Sequence, residues 1–194
     1  QFVTMFQDEA RLAANITSPH VVQTLELGRH EDDGALYIVM ELVVGVTLYE
    51  ICVAVLDSTL GALPVPFVAE ALAQAARGLD DAHNATTPTG QALQVVHRDV
   101  SPQNLLVGAD GRVRVTDFGI ARHMHHDART HATGFIIGTP DYMSPEQVLD
   151  QGVGPSTDMY AFGTLLYEML LGNPPFTGLN AMDVAVRRLH EEPR

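Results

Sequence analysis

With 194 residues, 46% of them hydrophobic, the chain can bury one sizeable core, which excludes a disordered tail. Eleven basic residues against 24 acidic ones give a formal net charge of -13 with no basic cluster, which argues against nucleic acid or anionic lipid as a partner. The single cysteine, Cys52, cannot form an internal disulfide, and no Cys/His spacing matches a structural zinc site, so the cytoplasm is the expected compartment.

Residues 2–16, "FVTMFQDEARLAANI", place Phe2, Met5 or Phe6, Glu9, Leu12, Ala13 and Ile16 near one face at helical spacing, and "TSPH" ends that helix. The runs "VVQTLELG" and "ALYIVMEL" read as two strands joined by the acidic turn "RHEDDG". The most apolar region, "ALYIVMELVVGVTLYEICVAVL", is interrupted by Glu41 and Glu50; a span would need about 20 predominantly apolar residues, so it reads as buried core with no membrane contact. Cys52 within it reads as buried and inert. "PVPFVAEALAQAARGLDDAH" opens on Pro66 and repeats apolar residues at Val68, Leu72, Ala75, Ala76 and Leu79, which predicts a long amphipathic helix. "STDMYAFGTLLYEMLLG" is apolar almost all round, as a helix in a domain centre should be, and its Asp158 suits the helix dipole or an adjacent backbone. "AMDVAVRRLH" predicts a last helix. The fold class is α+β, a small sheet followed by mainly helical structure from residue 65. Residue 1 is Gln rather than Met, so the sequence reads as a piece of a longer product.

The chemistry concentrates in "VVHRDVSPQNLLV", residues 95–107, and the hairpin that follows. "NLLVGADGRVRVTD" holds two apolar strands around "DG". If Asp110 and Gly111 are the two central turn residues, 109 pairs with 112 and Asn104 falls opposite Asp117. An amide oxygen and a carboxylate would then converge, a hard ligand pair suited to Mg²⁺ with phosphate oxygens and waters completing its shell. Asp99, five residues before Asn104, can point into the same site without being a ligand.

"HRDVSPQN", "DFG" at 117–119 and "SPE" at 144–146, with "DMYAFGTLLYEML" behind them, resemble the protein-kinase signature, and "GTPDYMSPEQ" resembles the eukaryotic-like serine/threonine kinases of bacteria. The resemblance covers essentially the whole chain. It implies a bilobal protein-kinase-like fold, with a partial N-lobe over residues 1–43 and a C-lobe over 44–194. It also implies ATP and Mg²⁺ as cofactors and a protein substrate carrying Ser or Thr. Asp99 would accept or orient the substrate hydroxyl proton, and Asn104 and Asp117 would hold Mg²⁺. Glu9 matches the helix glutamate that pairs with the phosphate-contacting lysine. Met40 looks like the gatekeeper, Glu41 to Val43 like the hinge, and Leu106 like the residue packing on the other face of adenine. His97 and Phe118 are expected to stack in the core. Arg98 resembles the family's partner for an activation-loop phosphate, with Thr130 and Thr133 as candidate phosphosites or ordinary loop threonines. Thr139, in "GTP", matches the residue shaping the hydroxyl site of Ser/Thr kinases.

The sequence departs from the family in places. Ser101 stands where most Ser/Thr kinases have a lysine that stabilises the transferring phosphate, which leaves open a pseudokinase scaffold or a lineage variant compensated by a cation; the intact Asp99, Asn104 and Asp117 favour the variant. No Gly-rich loop or ATP lysine precedes Glu9, and the sequence has no lysine at all, so these 194 residues by themselves are expected not to be a competent kinase. Glu146 lacks its usual arginine partner and is expected to be unpaired or exposed. A small-molecule phosphotransferase with a similar loop ranks below a protein kinase, because "SPE" and "DMYAFG" belong to the protein-kinase pattern. His123, His125, His126 and His131 could hold zinc but read as an exposed His-rich loop. Oligomeric state cannot be read from the sequence.

Overall fold

The computed structural model of the chain describes residues 12–56, 58, 62–118 and 140–193. Only the end of the first expected helix falls within them. Residues 12–14 are helical, and Asn15 N donates to Leu12 O and Ile16 N to Ala13 O. β1 (Thr24–Arg29) and β2 (Leu36–Met40) form an antiparallel ribbon, the two strands expected on either side of the acidic turn, with Gly34 at φ 71° in that turn. β3 (Gly45–Thr47) leads into α1 (Leu48–Leu56), started by a reciprocal cap. Thr47 Oγ1 accepts from Glu50 N at 3.1 Å, while Glu50 Oε2 accepts from Thr47 N at 2.7 Å.

α2 (Val65–His83) is the long amphipathic helix. Its buried face, Val68, Ala71, Leu72, Gln74, Ala75, Gly78, Leu79 and Ala82, is rich in small residues and so lets neighbouring backbone come close. At Gly78 a Cβ would lie 2.3 Å from the His20 carbonyl oxygen. Buried Gln74 accepts from Val113 N at 2.9 Å and so ties the helix to a strand edge. β4 (Leu105–Gly108) and β5 (Val113–Val115) follow, and the second sheet runs in the order β3-β4-β5, antiparallel throughout. Residues 20–22 lie along β5, where Val22 N donates to Val115 O and Val115 N to His20 O. α3 (Pro145–Val148), α4 (Pro155–Leu171) and α5 (Ala181–His190) complete the mainly helical C-terminal region. α4 stops where Gly172 adopts φ 77°. The core is centred on Leu48, Val68, Ala75, Leu79, Leu105, Val115 and Leu165. A small sheet region followed by a mainly helical one matches the bilobal kinase-like plan.

Three expectations are corrected. The apolar run over 35–56 is not buried core. Leu48 is fully buried, but Tyr37, Val39, Met40, Leu42, Val44, Val46, Tyr49 and Leu56 are exposed. The ribbon is only two strands wide and nothing among the described residues covers its apolar side chains. α4 is not enclosed all round either: Thr157, Asp158, Ala161, Thr164, Leu165 and Met169 are buried, whereas Met159, Leu166, Leu170 and Leu171 are exposed, because α2 and the 140–142 turn pack on one side of it. Third, the β4–β5 hairpin is offset by one residue. Leu105 pairs with Val115 and Gly108 N donates to Arg112 O, so the loop has three residues, closed by Gly111 N to Gly108 O with Gly111 at φ 78°. A glycine able to take the left-handed region after a tight turn gives this longer loop, and Asn104 therefore meets Thr116 rather than Asp117. Among the described residues no helix is long and apolar enough to cross a membrane.

Candidate active site

The site is built on a loop between α2 and β4, and the loop is held from beneath. Asp158, fully buried in the first turn of α4, accepts from His97 N at 2.8 Å through Oδ2 and from Arg98 N at 2.7 Å through Oδ1. His83, at the end of α2, places Nε2 2.7 Å from the same Oδ2. The adjacent-backbone expectation for Asp158 is met, and one carboxylate thereby joins two helices to the loop. His97 is fully buried. Its Nδ1 accepts from Asp99 N at 3.2 Å, and its Nε2 donates to Thr116 O at 2.8 Å, the pattern of a neutral imidazole with its proton on Nε2. Its ring lies 4.6 Å from that of Phe118 at 51°, so the expected stack is present.

Above this base Asn104 Nδ2 donates to the Asp99 carbonyl at 2.8 Å and to Asp99 Oδ2 at 3.2 Å. Asp117 comes to the same place by a route the hairpin register does not supply. Its backbone takes φ 58°, a left-handed turn that breaks off the strand directly after Thr116. Partial desolvation, with repulsion from Asp99 adding to it, pushes the Asp117 carboxyl above the ordinary aspartate range. A second carboxylate that raises the proton affinity of Asp117, beside an amide oxygen, completes a donor set suited to a hard divalent cation. Among the described residues no group of three or more His, Cys, Asp or Glu side chains could hold a metal on its own.

The other described candidates lie in β2 and the stretch after it, in the loop before β4, and in β4. Met40 ends β2 and is partly exposed. Glu41 N donates to Gln23 O at 2.9 Å while its Oε1 accepts from Gln23 N at 3.0 Å, so its side chain braces the start of β1. Val43 is half-buried two residues before β3, and half-buried Leu106 pairs with Thr47 across the β3–β4 ladder, which links the stretch after β2 to β4. Arg98 has φ 67°, and its side chain lines a small cavity with Leu12, Ala13, Gln94 and Phe118. Ser101 is fully buried and its Oγ has no hydrogen-bond partner among the described residues. Glu9, Thr130, Thr133, Thr139 and the four clustered histidines lie outside the described residues.

Glu146 corrects its expectation. It is half-buried and accepts from Thr157 Oγ1 at 2.7 Å; burial works to raise its carboxyl, but the hydrogen bonds hold it below the usual range. Short side chains such as Thr157, in the first turn of α4, were not foreseeable partners. Sequence reading also missed three fixings of the 140–148 segment. Tyr142 donates to Glu168 on α4, Arg188 on α5 donates to the carbonyls of Pro140 and Asp141 at 2.7 Å each, and Gln147 donates to Arg98 O. Their one sequence signal is polar residues on otherwise apolar helix faces.

Residues 2–193 match the protein kinase domain family. The chain is 37% identical over 196 residues to the serine/threonine-protein kinase drp72 of Corynebacterium efficiens, covering 100% of this chain and 35% of that protein. It is 43% identical over 185 residues to the tyrosine-protein kinase MasK of Myxococcus xanthus, covering 95% and 28% respectively. It is 39% identical over 189 residues to the serine/threonine-protein kinase PknL of Mycobacterium tuberculosis, covering 97% and 43%. The chain thus spans less than half the length of these curated relatives. A family match running almost the length of the chain, over a fold with the two-part plan its motifs implied, makes it a member of the protein kinase family.

Proposed function

We propose that the protein carrying this chain transfers the γ-phosphoryl group of ATP to Ser or Thr hydroxyls of a protein substrate, in the cytoplasm. The observation that carries this reading is the Asp99 carboxylate, held by Asn104 within electrostatic reach of Asp117. Asp99 orients the substrate hydroxyl and accepts its proton. Asn104 and Asp117 hold Mg²⁺, which when bound neutralises phosphate charge. Met40, Glu41, Val43 and Leu106 receive the adenine at the junction between residues 1–43 and 44–194, which we take as the two lobes. Glu9 pairs with the phosphate-contacting lysine of the whole protein, and Thr139 shapes the hydroxyl site. Arg98 binds a phosphate on Thr130 or Thr133.

Ser101 supplies no charge and, being buried, does not replace the lysine of related kinases; positioning and charge neutralisation by Asp99, Asn104 and Asp117 sustain transfer without it. The preference for Ser or Thr rests on Thr139 and on the names of most relatives above, against the tyrosine kinase MasK. The test is radiolabelled phosphoryl transfer by the full-length protein with Mg²⁺-ATP and a basic Ser/Thr protein. Asp99→Asn is expected to lower the rate about 10²-fold or more. Transfer that survives Asp99→Asn at full rate overturns the reading, and phosphotyrosine as the main product overturns the Ser/Thr preference.

A further inference from the structure

The peptide unit that leads into Asp99 is held at both of its polar ends. Its N–H, that of Asp99, donates to His97 Nδ1 at 3.2 Å. Its carbonyl, that of Arg98, accepts from Gln147 Nε2 at 2.8 Å, across 49 residues of sequence. The other end of the same amide is also engaged, since Gln147 Oε1 accepts from Ser144 N at 2.9 Å. We propose that Gln147 is a positioning residue for Asp99, an inference that rests on reading Asp99 as the group that handles the substrate proton.

The physical need for such a brace lies in the backbone. Arg98 sits at φ 67°, a region that residues with a Cβ rarely occupy and that persists only where neighbours over-determine it. Asp158 holds the two N–H groups on the upstream side, those of His97 and Arg98, but neither contact restrains the plane between Arg98 and Asp99. Rotation of that plane would swing the Asp99 Cα and its carboxylate. Gln147 and His97 oppose the rotation from opposite ends, one by donating and one by accepting.

Gln147 is chemically specific here. A glutamate could still accept from Ser144 N but would set a carboxylate oxygen against the Arg98 carbonyl, and a methionine of similar length would leave both ends open. The brace also makes the catalytic loop answerable to the segment 140–148. That segment is fixed by Tyr142 on Glu168, by Arg188 on the Pro140 and Asp141 carbonyls, and by Thr157 on Glu146. Order in the segment is passed to Asp99 through one amide.

The experiment is a double-mutant cycle in the full-length protein, measured by single-turnover phosphoryl transfer and by amide exchange at Asp99. Gln147→Met and Gln147→Glu are each expected to lower kcat about tenfold or more with the KM for ATP unchanged, because misplacement of the base acts on the chemical step. Gln147→Met is expected to change the residual rate of Asp99→Asn by less than about twofold, since a residue acting through Asp99 has nothing further to act on there. The Asp99 amide should exchange faster in Gln147→Met. An equal loss in both backgrounds overturns the proposal, as does full activity in Gln147→Met. If Asp99→Asn leaves no measurable rate, the exchange decides: faster exchange supports the proposal and unchanged exchange overturns it. Wild-type transfer by Asp99→Asn would instead sink the reading of the site itself.

Discussion

The loop that carries Asp99 and the β1–β2 ribbon treat their side chains in opposite ways. Around the loop, polar atoms are buried and tied: His97 and Asp158 are fully buried, and between them they engage the backbone at His97, Arg98, Asp99 and Thr116. In and just after the ribbon, apolar side chains stand in solvent, with Leu25 62% and Leu42 88% exposed. The difference is one of packing partners. The loop is tied to α4 through Asp158 and to the residue after β5 through Thr116, whereas the ribbon is two strands whose apolar side chains nothing among the described residues covers. Low dielectric makes each tied polar atom of the loop costly to release, while an exposed leucine contributes little wherever it lies.

The sharpest way to break that contrast is at Asp158. Asp158→Ala strands two buried backbone N–H groups and His83, and is expected to cost about 3–5 kcal/mol of unfolding free energy by denaturant titration. A loss under about 1 kcal/mol would mean that the loop is held by something else. Next comes Gly78→Ala, which would ordinarily favour a helix by up to about 1 kcal/mol. Here the new methyl meets the His20 carbonyl, so a net loss of about 1–3 kcal/mol is expected; a gain in melting temperature would show that residues 20–22 can move away.

Tyr142→Phe removes the donor to Glu168 and is expected to cost about 1–2 kcal/mol at neutral pH. Burial already pushes the Glu168 carboxyl up, and the Tyr142 bond works against that shift. Without it the ionised form suffers most, so the deficit should shrink as pH falls through the raised pKa; a pH-independent deficit would place the loss elsewhere. The smallest effect belongs to the ribbon. Leu25→Ser in β1 is expected to stay within about 0.5 kcal/mol by the same titration, and a larger cost would show that the ribbon's apolar face is covered in the whole protein.

Much of the fold was legible from local signals. Two β-rich runs around an acidic turn marked β1 and β2, and helical spacing with Pro66 marked α2 and most of its buried face. Thr47 and Glu50 three residues apart carried a cap for α1 that was there to be read. The hairpin was legible as a hairpin but not in its register, because "DG" suits both a two-residue and a three-residue loop and only the left-handed Gly111 after a closed turn distinguishes them. Of the candidate site, the motif spacing brought Asp99, Asn104 and Asp117 together. It did not disclose that Asp117 arrives by its own left-handed backbone rather than by cross-strand pairing.

By itself the sequence determined that the chain is a protein kinase domain and where most of its helices and strands fall, since motif spacing and side-chain type act over a few residues and survive any later packing. Only the tertiary structure decided what is buried and what grips what. It exposed the most apolar run of the chain, offset Asn104 by one residue, buried Ser101, and brought Asp158 and Gln147 to the backbone beside Asp99 across 61 and 49 residues. Burial and long-range hydrogen bonds are properties of how elements meet, and a meeting between distant elements has no local signature to read.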